Sequence, residues 1–68
     1  MIAKIYIDDK EPLVAVHPET LTDGSEVWNL HFRGGETLGC LNEQCADRAL
    51  ILIREAITAA TGEVPLVL

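Results

Sequence analysis

The chain has 68 residues, enough for one small domain. Its 11 acidic side chains outnumber five Lys and Arg, giving a formal charge of −6, and the absence of any basic cluster argues against nucleic-acid backbones and anionic membrane surfaces as partners. At 49% hydrophobic residues it carries more apolar side chains than so small an interior can hold, which predicts a homodimer or a protein partner that covers the surplus.

Residues 1–7 alternate as a half-buried strand does, with Ala3, Ile5 and Ile7 on one face and Ile2, Lys4 and Tyr6 on the other. A charged turn over 8–12 closes on Pro12. Residues 13–17 (LVAVH) form a second, shorter strand that Pro18 is expected to end. The polar loop 19–24 finishes on Asp23-Gly24, a favourable turn pair. Residues 26–32 are the clearest strand, with Trp28, Leu30 and Phe32 on one face and Val27, Asn29 and His31 on the other.

Gly34-Gly35 then reverses the chain. A two-residue Gly-Gly loop would turn Leu38 and Cys40 to the wrong face. A three-residue loop, Arg33-Gly34-Gly35, places a glycine at the left-handed position of a bulge and pairs Phe32 with Glu36, Leu30 with Leu38 and Trp28 with Cys40. That register gathers the apolar side chains on one face and is the one predicted.

Asn42 is a good N-cap, and the helix it opens runs to about Thr61, with Gly62 as its left-handed stop. Cys45, Ala46, Ala49, Leu50, Leu52, Ile53, Ala56, Ile57, Ala59 and Ala60 sweep out roughly half of its circumference, so it must lie on a broad apolar surface. The tail 63–68 (EVPLVL) is apolar, but Pro65 removes a ladder donor and restricts it to an edge strand or an arm.

The predicted fold class is α+β. It is an antiparallel β-meander of three to four strands followed by one long C-terminal helix packed on one sheet face, with an optional fifth edge strand at the C-terminus. The inner face is expected to hold Ala3, Ile5, Ile7, Trp28, Leu30, Phe32, Leu38 and Cys40, joined by Val14 and Val16. Trp28 should be largely buried beneath the helix.

No pattern in the chain specifies catalysis, a cofactor or a metal. Cys40 and Cys45 show neither the paired-cysteine nor the paired-histidine spacing of a zinc site. In the predicted register both thiols face the core and His17 and His31 face away, so both cysteines are expected as packed free thiols. Gly34-Gly35 leads into a strand and not a helix, so it is no phosphate cradle. Asp8 and Asp9 share an exposed turn where burial cannot tune them.

Two surfaces remain as binding candidates. The outer sheet face carries Tyr6, His17, Asn29 and His31, with Arg33 at its rim. Ile51 stands in the polar arc of the helix among Asp47, Arg48, Glu55 and Thr58, a plausible dimer contact. Gly35-Glu36-Thr37 followed by the Ala-rich stretch 46–60 resembles the strand-to-helix passage in the N-terminal domain of HicB-type antitoxins. The likeness covers less than half of the chain. The Pro-Asp-Leu-Pro-Gly signature expected before it is absent, and no residue role is carried over.

These features predict a small acidic interaction or regulatory protein without enzymatic activity, acting as a homodimer or docked on a larger protein. The alternatives are a small-ligand or nucleic-acid binder using Tyr6, His31 and Arg33 on the outer sheet face, or an acidic mimic of nucleic acid. The expected location is the cytoplasm, because the chain opens without a basic-then-apolar leader and holds no apolar run of bilayer length.

Overall fold

The computed structural model describes residues 3–8 and 10–68. Met1 and Ile2, at the start of the first predicted strand, and Asp9 in the charged turn lie outside the described residues. The elements are β1 (Lys4–Tyr6), β2 (Val14–Thr20), β3 (Glu26–Phe32), β4 (Thr37–Cys40), α1 (Glu43–Thr61) and β5 (Leu66–Val67). The strands form one antiparallel sheet in the order β4-β3-β2-β1-β5, with the helix on one face. This is the predicted α+β meander, and the tail does supply a fifth edge strand.

The turn between β3 and β4 has the predicted three-residue form. Phe32 N–H donates to the Glu36 carbonyl at 2.9 Å, and Leu30 pairs with Leu38 and Trp28 with Cys40. Gly35 sits at φ +96°, the left-handed position that a bulge of this kind assigns to glycine.

Pro18 does not end β2. The strand continues through it to Thr20, with Pro18 opposite Trp28. The hydrogen-bond alternation explains why. Arg33 N–H donates to the Leu13 carbonyl, which sets the odd-numbered residues of β2 toward β3, whereas Val16 N–H donates to Ala3 on the β1 side. The donor that Pro18 lacks would therefore point away from β3, so the β2–β3 ladder loses no bond at this position. The predicted loop shrinks to a turn around Asp23-Gly24. There Gly24 has φ +88°, and the Asp23 carboxylate accepts from Ser25 N–H at 2.9 Å and Ser25 Oγ at 2.6 Å.

The helix begins and ends where expected. Asn42 is extended at φ −153°, and its Oδ1 accepts from Cys45 N–H at 2.8 Å. Gly62, at φ +76°, donates to the Thr58 carbonyl at 2.8 Å and closes the last turn.

The core is narrower than the sequence pattern suggested. Ile5, Val14, Val16, Leu30 and Cys40 from the sheet meet Ala46 and Leu50 from the helix, with Ala3, Trp28, Phe32, Ala49, Ile53, Ile57 and Val67 partly buried around them. Trp28 is half-buried at the rim and not sealed beneath the helix. Two residues expected inside are exposed: Ile7, which follows the end of β1, and Leu38, on the helix side of the edge strand β4. Cys45, Leu52, Ala56, Ala59 and Ala60 also stay outside, because the sheet covers only the helix stripe through Ala46, Leu50, Ile53 and Ile57. Cys45 is thus exposed, not packed as its position on the apolar arc had implied.

Candidate functional site

The outer face of the sheet is built from the alternate residues of β2 and β3. Ala15 pairs with His31, His17 with Asn29, and Glu19 with Val27, so His17 and His31 are diagonal neighbours. Their rings meet edge to face with centroids 5.1 Å apart. Asn29 Nδ2 donates to Glu19 Oε2 at 2.8 Å, and Glu19 Oε1 lies 3.5 Å from His31 Nε2. Three of the predicted residues, His17, Asn29 and His31, therefore come together around a fourth, Glu19, that the sequence reading left in a loop. The alternation His17-Pro18-Glu19 carried that signal, and it was lost by stopping the strand at Pro18. The cluster offers exposed polar donors and acceptors over a flat surface.

The other predicted residues do not join this cluster. Arg33 does not project freely at the rim of this face. Its guanidinium donates to both carboxylate oxygens of Asp8 at 3.0 Å and also to the Glu11 carbonyl. That contact holds the Asp8 carboxyl below the usual carboxylate range, helped by the Lys10 N–H at 3.0 Å. Tyr6 lies on β1 opposite Leu66 and borders a cleft of about 270 Å³ formed with Ile7, Ile57, Thr61 and Val64. Ile51 is 40% exposed on the helix, far round from the buried stripe.

Burial, and secondarily the neighbouring Cys45, pushes the Cys40 thiol up, which keeps it protonated and a poor nucleophile. Among the described residues, no three His, Cys, Asp or Glu side chains come together as a metal ion needs. No described helix is long and apolar enough to cross a membrane.

The largest apolar exposure lies in two places. One is the cleft, where Val64 is 77% exposed. The other is at β4 and just after it, where Leu38 and Leu41 are 49% and 86% exposed; Leu52, on the helix, is 59% exposed. Comparison of the chain with protein-family models, with curated proteins and with solved structures returns no match.

Proposed function

We propose that this chain is a small acidic interaction protein, without catalytic activity, that works as a homodimer or docked on a larger protein in the cytoplasm. The supporting observation is the imbalance between core and surface. Among the described residues, the fully buried large side chains are Ile5, Leu30, Leu50 and Val14, while Leu38, Leu41, Leu52, Val64 and Leu66 remain about half exposed or more. Exposed apolar groups gathered into patches are the usual mark of a protein contact. Fully burying an exposed Val or Leu is worth about 1.5–3 kcal/mol, so covering the exposed share of several of them can support association. The outer-face cluster of His17, Glu19, Asn29 and His31 would add polar contacts at such a surface.

Sedimentation equilibrium at micromolar concentration tests self-association. A photo-reactive amino acid placed at Leu38 or Leu66 in the host cell tests for a larger partner. The reading expects a dimer in the first experiment or a discrete protein adduct in the second. A monomer that forms no adduct from either position overturns it.

A further inference from the structure

The open edge of β4 is complementary to itself. We infer that a second copy of this chain docks there, its β4 antiparallel to this β4 across a two-fold axis at Leu38. This inference rests on the interaction reading above and specifies the surface and its occupant.

The hydrogen-bond pattern comes first. Trp28, Leu30 and Phe32 pair with Cys40, Leu38 and Glu36, and Phe32 N–H donates to Glu36. By alternation, the N–H and C=O groups of Thr37 and Gly39 point away from β3 to the open edge. A two-fold axis at Leu38 places Thr37 opposite Gly39 of the copy, and Gly39 opposite its Thr37. The outward groups of both strands are then paired. Leu38 meets Leu38 of the copy in a close pair that forms no ladder hydrogen bonds, on the side of the sheet where the helix lies.

Charge allows this contact, and backbone pairing disfavours the other edge. Residues 37–42 (TLGCLN) contain no Asp, Glu, Lys or Arg. In this register Glu36 faces Cys40 of the copy and not its own counterpart, so no like charges are opposed along the paired strands. The opposite edge is guarded. Leu68 and Lys4 exchange backbone hydrogen bonds at 2.9 and 3.0 Å, which leaves only the backbone N–H and C=O of Val67 pointing to the open edge, on a two-residue strand near Pro65.

The helix lies on the same side of the sheet as Leu38, its Ala46 and Leu50 packed with Leu30 and Cys40. A two-fold axis normal to the sheet keeps both helices on that face. Leu38 of each copy, 49% exposed in one chain, is thereby covered.

The test uses the full chain in sedimentation equilibrium at micromolar concentration. Wild type should dimerise. Leu38→Lys and Leu38→Glu, at an exposed position, should each fold normally and self-associate at least about tenfold more weakly. Mixed together they should recover a one-to-one dimer, because residue 38 faces itself. Gly39→Pro removes an edge donor while sparing the β3 ladder and should weaken the dimer similarly. Leu66→Lys should leave it unchanged. Amide exchange at Thr37 and Gly39 should slow as concentration rises. A wild-type dimer that survives Leu38→Lys, or a mixture that recovers nothing, overturns the β4 pairing. So does a dimer lost in Leu66→Lys, although that result keeps the interaction reading and moves the contact to the cleft. A monomeric wild type also overturns the β4 pairing, and photo-crosslinking then decides the broader reading separately.

Discussion

Arg33 grips Asp8 with two parallel hydrogen bonds, Nη1 to Oδ2 and Nη2 to Oδ1, both at 3.0 Å. The pair ties the β3–β4 turn to the connection between β1 and β2, two segments distant in sequence. The same guanidinium also reaches the Glu11 carbonyl, so one side chain organises much of that connection.

The fork makes stability depend on pH in a definite direction. Arg33 first, and the Lys10 N–H second, hold the Asp8 carboxyl below its ordinary value in the folded chain. A group with a lowered folded pKa contributes stability that is fully present above the unfolded value, about 3.9, and is lost as pH falls through the folded value. Urea unfolding should therefore show Asp8→Asn destabilised relative to wild type at about pH 6, with the gap closing by about pH 2. Asp23, held down in the same way by Ser25 Oγ and then Ser25 N–H, keeps its own contribution in that variant. A gap equal at both pH values would show that the fork does not couple to folding.

The core sets an order among truncations. Leu30 and Leu50 are fully buried, whereas Trp28 is half-buried at the rim. Leu30→Ala and Leu50→Ala should each cost about 3 kcal/mol, a large part of the stability of so small a domain. Trp28→Ala should cost less than the approximately 3–5 kcal/mol typical of a fully enclosed Trp and should still unfold cooperatively. Urea midpoints measure the ranking. As the sole tryptophan, Trp28 should also be partly open to acrylamide quenching in the native state.

Local signals carried most of the fold. The alternation of 26–32, the cap at Asn42 and the stop at Gly62 each act within a few residues, and each appears where its chemistry requires. What the sequence hid is tertiary. Pro18 is tolerated because of which neighbour its missing donor would face. Leu38 is exposed because it sits on the edge strand, and Leu52 because it lies off the helix stripe that the sheet covers. On the outer face, His17, Asn29 and His31 were legible from period two. Arg33 was misplaced because its partner Asp8 lies 25 residues away, where no local pattern reaches. Glu19 was missed as a consequence of Pro18.

The β3–β4 turn separates backbone strain from steric crowding. Around Gly35, at φ +96°, a Cβ would meet nothing within 4 Å, so any penalty there comes from the backbone conformation alone. Gly35→Val should cost about 1–3 kcal/mol, and Gly35→Asn less, since Asn visits the left-handed region more readily. At Gly34 a Cβ would crowd the exposed Glu36 carboxylate, a flexible side-chain end that can move aside. Gly34→Ala should therefore be nearly silent in thermal melts. Equal losses at the two positions would contradict the left-handed assignment.

The helix start depends on a single side-chain bond. Asn42 Oδ1 satisfies the Cys45 N–H at 2.8 Å, one of the amide groups that the first turn leaves without a helical partner. Asn42→Ala should cost about 1 kcal/mol, while Asn42→Asp, which keeps the acceptor and suits the positive end of the helix, should retain the cap. Far-UV circular dichroism with urea titration reads both variants. An unchanged midpoint for Asn42→Ala would show that packing alone fixes the helix start.

The C-terminal strand belongs to the fold as well as to the surface. Leu68 N–H donates to the Lys4 carbonyl at 2.9 Å, and its own carbonyl accepts from Ala3 and Lys4 at 2.7 and 3.0 Å. Val67 packs opposite Ile5 against the core, while the Leu66 side chain stays 58% exposed. Deleting residues 66–68 removes these bonds and opens the edge of β1. Loss of the Val67 contact alone should cost up to about 1.5–3 kcal/mol, less the share of that side chain already in water. The urea midpoint should fall clearly for the deletion, moderately for Val67→Ser and hardly at all for Leu66→Lys. This ordering distinguishes a folding role from an association role, because a tail serving only as a docking arm would leave the midpoint of the isolated chain unmoved.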